Sequence, residues 1–332
     1  MDKIITGFLQ NLSFGQVQVF KNMAAVPIFF KDGKSPEYLT LKEAMEMGVL
    51  SITELDSSGS VPELQAFNRA RMPVLILDGE EIAGAKQNRV LNTTVLLKEE
   101  SETIIPVSCT EQGRWHYTSK NFSDSGVVTA HKVRLRKNIS VSQSLNAGRA
   151  FMSDQGRVWD EINQYQMVAG TKSATSAMKD VFVQKEDSLN DYLNAFKINE
   201  GQNGIFIFLK GKSVGFDYIS LSAAYSNLHL KLLKSYAMDA LLQNDSKEYE
   251  IKESEVDEFI EKIKNSNAKN FDSVGYGIDL RLAGKGVIGS ALAWDNCVIH
   301  MACFKMDDEK IFESSDTGNM SGYRRRMDNR VY

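Results

Sequence analysis

Along the first part of the chain the apolar positions recur in short runs with an alternating or β-branched character, which predicts strands. Gln16–Phe20 alternates polar and apolar, and Ala24–Phe30 is a buried-type run closed by the turn Lys31-Asp32-Gly33. Val49–Leu55, Leu64–Asn68, Val74–Leu77, Val90–Leu97 and Thr103–Val107 are further strand candidates, with a turn cluster at Asp56–Ser60. One short helix interrupts them at Leu41–Met47, with Thr40 as its cap and Gly48 past its end. Many short strands separated by turn signals predict a sandwich or barrel-like sheet.

The period changes near residue 140. Val141–Met152, Val158–Val168, Ser173–Val181 and Asp187–Phe196 carry helical spacing. Gly204–Leu209 and Ser213–Ile219 read as a strand pair across Lys210-Gly211-Lys212. Ser222–Gln243 is the longest predicted helix, with Leu228, Leu232, Ala237 and Leu241 on one side. Glu253–Lys264 is amphipathic, with Val256, Ile260 and Ile263 inward. Val274–Leu280, Gly286–Trp294 and Cys297–Phe304 return to strand, the last two joined at Asp295-Asn296 as a hairpin. The fold class expected is α+β: a strand-rich lobe over 1–140, then a helix-rich lobe over 141–332 that ends in strands, the two possibly forming one continuous domain.

Composition narrows the function classes. The chain has 332 residues, 42% of hydrophobic type, enough for a sizeable core. The formal net charge of −4 argues against a general nucleic-acid binder. Arg324-Arg325-Arg326 with Arg330 is the one dense basic cluster, and reads as a solvated tail. Three cysteines, Cys109, Cys297 and Cys303, fit neither CxxC nor a zinc set, and the four histidines are scattered. A catalytic zinc is not expected, whereas a hard cation such as Mg²⁺ or Mn²⁺ on carboxylates stays open. No signal-peptide layout and no membrane-spanning run is seen, so a cytoplasmic location without membrane partner is expected.

Two polar segments stand out in the strand-rich half. Asp78–Arg89 follows the Val74–Leu77 run and holds Asp78, Glu80, Lys86, Gln87, Asn88 and Arg89, with Gly79 and Gly84 among them. Such a set of donors and carboxylates suits a phosphate or a ribose, and equally suits a hairpin turn with solvated charges. Glu111–Tyr117 places Glu111, Arg114, Trp115 and His116 after the next strand. An Arg beside a Trp suits an anion and a stacked base, while the plainer reading is a core aromatic next to a surface ion pair. Cys109 with His116 as base is a weaker nucleophile pattern than a buried inert thiol. Gly284-x-Gly286-x-x-Gly289 matches GxGxxG but falls before and within a predicted strand, so it is not a dinucleotide fingerprint. His300 reads as a core histidine.

The stretch Pro73–Leu97, with Asp78-Gly79-Glu80 and Gly84-Ala85-Lys86-Gln87-Asn88-Arg89, resembles the ARG and rhodanese-phosphatase-superfamily-associated protein domain family. So does Ile105–Cys109 running into Glu111-Gln112-Gly113-Arg114-Trp115. Leu232–Ala237 and Gly289–Leu292 with Ile299-His300 resemble its C-terminal pattern. The resemblance implies binding or processing of ADP-ribose or a related nucleotide. On that footing Lys86, Arg89 and Arg114 would take phosphates, Gln87 and Asn88 ribose hydroxyls, and Trp115 the base. Asp78, Glu80 and Glu111 would position a water or a divalent cation for hydrolysis, and His116 is the histidine within sequence reach of both segments. The rivals are a sensor that binds without turnover, and a protein-interaction scaffold in which both segments are turns.

Overall fold

The computed structural model describes residues 2–31, 35–55, 62–252 and 254–306. Of the expected features, the turns at Lys31-Asp32-Gly33 and Asp56–Ser60, the first residue of the Glu253–Lys264 helix and the Arg324–Arg326 and Arg330 tail lie wholly or partly outside these residues.

The architecture is α+β. Six strands within residues 50–128 form one sheet in the order Phe122–Val128, Glu80–Gly84, Arg89–Leu91, Ser101–Cys109, Glu63–Asn68, Leu50–Glu54, and Val95–Leu97, Val74–Ile76 and Leu39–Thr40 form a small three-stranded sheet of their own, apart from the two large ones. The six-stranded sheet curls until its edge strands, Leu50–Glu54 and Phe122–Val128, approach one another. Alternation explains it: in Leu50–Glu54 and Glu63–Asn68 every second side chain is buried, on the inside of the curl. Leu41, Ile52, Leu64, Ile82, Leu91, Ile105 and Phe122 share that core. The short helix Leu41–Glu46 closes against it behind a capping box, in which the Thr40 hydroxyl accepts the Glu43 amide and the Glu43 carboxylate accepts the Thr40 amide at 2.9 Å.

The second sheet mixes both ends of the chain. Strands Leu12–Phe14, Gln18–Phe20 and Met23–Phe30 join Gly204–Leu209, Lys212–Ile219, Cys297–Lys305, Val287–Trp294, Ile278–Gly284 and Asn267–Asp272. The Asp295-Asn296 turn has both residues at positive φ, +50° and +57°, as a tight hairpin turn requires. Helices Lys3–Gln10 and Ser254–Lys264 cover one face, the latter with Val256, Ile260 and Ile263 inward as its spacing predicts. The Ser222–Leu242 helix runs between the two sheets and is buried on most of its circumference, not along one stripe. That position explains why its polar residues Lys231, Ser235 and Asp239 are buried with the apolar ones.

Several boundaries differ from the sequence reading for physical reasons. The expected strand Val90–Leu97 is two, Arg89–Leu91 and Val95–Leu97, because Asn92, Thr93 and Thr94 turn inward, Asn92 onto the Phe151 carbonyl, Thr93 onto the Asp279 carboxylate and Thr94 onto the His300 ring. The helix expected from Val141 begins at His131. Its first turns, His131-Lys132-Val133-Arg134-Leu135-Arg136-Lys137, carry too many charges to show an apolar stripe, yet Arg134 and Lys137 are fully buried against acids.

Candidate functional site

The segment Asp78–Arg89 folds as a hairpin. Glu80–Gly84 pairs antiparallel with Arg89–Leu91, Glu81 opposite Val90 and Ile82 opposite Arg89. Unlike a solvated turn, its charges are buried. Asp78 and Glu80 are fully enclosed: Lys137 bonds Asp78, and Lys231 donates to Glu80 at 2.8 Å and to Asp124 at 2.7 Å. Gly79, at φ +88°, lies under Arg134, whose side-chain carbons stand 3.0 Å from where a Cβ would be. Arg134 in turn forks onto Asp217, at 2.9 Å from Nη1 to Oδ2, and Tyr236 donates to the same carboxylate at 2.8 Å. Burial raises the Asp217 carboxyl pKa, but the Arg134 charge and hydrogen bonds outweigh it and hold it well below the usual carboxylate range.

The loop Glu111–Tyr117 crosses the open end of this hairpin. Arg114 is spent inside it. Its guanidinium donates to Glu111 Oε2 at 2.6 Å, to the Ala85 carbonyl at 2.7 Å and to Asn88 Oδ1 at 3.2 Å. Glu111 Oε2 also accepts the Asn88 amide at 3.1 Å, and Oε1 accepts the Thr175 hydroxyl at 2.8 Å. Burial pushes the Glu111 carboxyl up, yet these bonds, led by Arg114, outweigh it and leave its pKa below the ordinary value. Gln87 donates to the Glu111 carbonyl at 2.8 Å and accepts from Arg89 at 2.8 Å. Gly113 permits the approach of the 173–177 segment: a Cβ there would stand 2.9 Å from the Thr175 Cα.

Outside that network the two segments make a mouth. Lys86 Nζ lies 5.2 Å from the centroids of both Trp115 and Tyr117, and the Arg89 guanidinium carbon lies 5.8 Å from the Trp115 ring. Trp115 is 49% exposed, with the Lys86 and Arg89 cations on its inner side. Beside the rings is an open cleft of about 660 Å³ lined by Thr53, Glu54, Tyr117, Thr118, Ser119 and Lys120. Glu54 Oε1 is 3.8 Å from Arg89 Nη2. Glu54 Oε2, Arg89 Nε and Arg89 Nη2 are buried and have no hydrogen-bond partner among the described residues. Buried polar atoms are nearly always bonded, so a cluster of three such atoms beside a cleft marks a place for a polar ligand or water. His116 is exposed, and its carbonyl accepts from Arg114 at 3.2 Å.

The hairpin and the crossing loop are the two stretches on which the family resemblance rests, and a model of the ARG and Rhodanese-Phosphatase-superfamily-associated Protein domain, ARPP-1, matches residues 11–304. The chain belongs to the ARPP-1 family. No curated protein and no solved structure matches it. In this ARPP-1 chain the matched span takes in both sheets and the helices between them, so the mouth is one part of a fold that the family match covers as a whole.

The sequence reading missed Glu54, Glu81, Thr175, Lys137 and Lys231. Glu54 is one of the inward residues of an alternating strand, and a charge at an inward position was the available signal. Glu81 is fully buried. Burial lifts its carboxyl to about 7, against the pull of the Thr110 hydroxyl, which donates at 2.6 Å. Lys137 and Lys231 lie in helices and meet their acids only through the tertiary fold. Burial pushes the Cys109 thiol up to about 11, and its described partner is Arg89, not His116, while the Gln155 side chain accepts the Cys109 backbone amide. Among the described residues no group of three or more His, Cys, Asp or Glu side chains is placed to hold a metal ion, and no helix is long and apolar enough to cross a membrane. Gly284, Gly286 and Gly289 fall at a strand end, a strand-to-strand turn and a strand interior, not at the strand-to-helix turn that a dinucleotide fingerprint needs.

Proposed function

We propose that this ARPP-1 chain binds an ADP-ribose-related nucleotide at the Trp115 mouth. The observation that carries the reading is the set of buried, unbonded polar atoms on Glu54 and Arg89, next to a half-exposed indole and a cation-flanked cleft. The base stacks on the outer face of Trp115, an interaction worth ~1–3 kcal/mol. Lys120 at the rim takes the phosphates, while Lys86 and Arg89 back the Trp115 ring from inside. Glu54 Oε2 accepts a ribose hydroxyl, the role a carboxylate fills in many dinucleotide sites. Gln87, Asn88, Glu111 and Arg114 hold the two loops in register below.

This reading favours binding over turnover. Asp78, Glu80 and Glu111 each face a cation inside the protein, Lys137, Lys231 and Arg114. No step through Mg²⁺ or Mn²⁺ is derived, because the described carboxylates do not gather into a cation site. A second reading is hydrolysis: Glu81 lies in the hairpin opposite Val90, beside Arg89, with the Thr110 hydroxyl donating to it at 2.6 Å, and burial pushes its carboxyl up toward the range of a proton-transfer group. The test is a thermal-shift screen against ADP-ribose, NAD, AMP and ribose phosphate, followed by product analysis with any ligand that binds. At ~100 times its dissociation constant a ligand adds ~2.7 kcal/mol. A shift without product supports the binding reading, product lost in Glu81→Gln with binding retained supports the second, and no shift from any nucleotide overturns both.

A further inference from the structure

A second cavity, of about 610 Å³, lies on the other sheet, where the Ser222–Leu242 helix begins. Its floor is aromatic. Phe8 meets Tyr218 edge-on with centroids 4.5 Å apart, and Phe30 packs on Tyr218 at 5.8 Å. Its polar wall is the start of the helix. The residue before the helix is Leu221, which cannot cap it, and among the described residues no side chain bonds the first amides. The amides of Ser222, Ala223 and Ala224 precede the first intrahelical bond, which runs from the Tyr225 amide to the Leu221 carbonyl at 2.9 Å. A 21-residue helix with no acidic residue in its first turn thus turns its positive end to the cavity.

A helix end alone does not define a site. Tyr218 supplies a second observation. Its side chain is 99% enclosed, lines the cavity, and its hydroxyl has no hydrogen-bond partner among the described residues. Cys297 lines the same cavity as Tyr218. Ser35 and Tyr38 both bond the Ser220 hydroxyl at 2.7 Å, which fixes the wall beside the helix start. Lys3 stands on the rim, and the described lining contains no Asp or Glu.

We propose that this cavity binds a small organic anion, with its phosphate or carboxylate on the free amides of the Ser222–Leu242 helix and the Tyr218 hydroxyl, and its apolar body on Phe8 and Phe30. The volume suits a molecule of one or two rings, and helix N-termini favour such anionic groups. The site is separate from the Trp115 mouth and does not depend on it.

The test uses the full chain and the alkylation of Cys297 by iodoacetamide, the other two thiols being buried. Phenyl phosphate and benzoate are the probes, with inorganic phosphate as the group without a body. At ~10 times its dissociation constant a ligand covers all but about a tenth of the sites, so alkylation slows about tenfold. Protection by phenyl phosphate alone assigns a phosphate ester, and protection by benzoate assigns a carboxylate. Ser222→Asp places a negative charge at the helix start, which stabilises the helix and repels the anion. The expected result is loss of protection in this variant with an unchanged or higher melting temperature. Tyr218→Phe weakens protection while keeping the ring. Absence of protection by either organic anion, or protection that survives in Ser222→Asp, overturns the proposal. Protection unchanged in Trp115→Ala keeps this outcome distinct from that of the nucleotide mouth.

Discussion

Arg114 donates to Glu111 Oε2 at 2.6 Å while the same oxygen accepts the Asn88 amide at 3.1 Å, so one carboxylate ties the crossing loop to the hairpin it covers. The pair is nearly enclosed, with side-chain exposures of 8% each, and the guanidinium is saturated by protein acceptors. Arg114 therefore holds the crossing loop that carries Trp115 against the hairpin.

Arg114→Ala removes one partner of a buried pair and leaves the Glu111 carboxylate uncompensated. The expected loss is ~3–5 kcal/mol of unfolding free energy, as for other broken buried pairs. Arg114→Lys is also destabilising, because an ammonium cannot reproduce the planar fork that reaches Ala85, Asn88 and Glu111 together. Urea unfolding of the three proteins checks both, and an Arg114→Ala variant as stable as the parent would refute the structural role.

The two unusual glutamates give opposite pH dependences. Glu81 has its folded pKa raised from 4.5 to about 7. The folded protein then holds a proton that the unfolded chain has lost, so stability falls as pH rises from the unfolded value through the folded one. A shift of that size corresponds to on the order of 3 kcal/mol. Glu111, with a lowered folded pKa, contributes stability above its unfolded value that is lost as pH falls through the folded one. Glu81→Gln should therefore be more stable than the parent at pH 8 and lose that advantage near pH 5. Denaturation at the two pH values measures it, and equal differences at both would show that Glu81 does not titrate this way.

Gly79→Ala combines a positive φ with a Cβ placed 3.0 Å from Arg134. Gly126→Ala has a positive φ but nothing within 4 Å of the new Cβ. Backbone strain costs ~1–3 kcal/mol at either site, and Gly79→Ala should exceed it through displacement of Arg134 from Asp217. Melting temperatures of the two variants separate the terms, and equal losses would mean that Arg134 yields without cost.

The parts of the fold written in local pattern were legible. The amphipathic helix with Val256, Ile260 and Ile263 inward and the Asp295-Asn296 hairpin depend on near neighbours, and both are present. The helix from His131 was not legible, because Arg134 and Lys137 are buried only by meeting Asp217 and Asp78, which are distant in sequence. The polar segments were found by composition, but not how their side chains divide the work. Whether Arg114 faces a ligand or Glu111 depends on which donors the folded loop satisfies, and Glu54 enters only because its strand curls back toward Arg89.

The measurement that tests the account most directly is calorimetric titration of ADP-ribose into the parent and into Trp115→Ala. The indole is half exposed, so its removal should leave the melting temperature nearly unchanged. Loss of ~1–3 kcal/mol of stacking predicts an affinity reduced about 5- to 150-fold. Equal affinity in both proteins would contradict the Trp115 mouth as the nucleotide site.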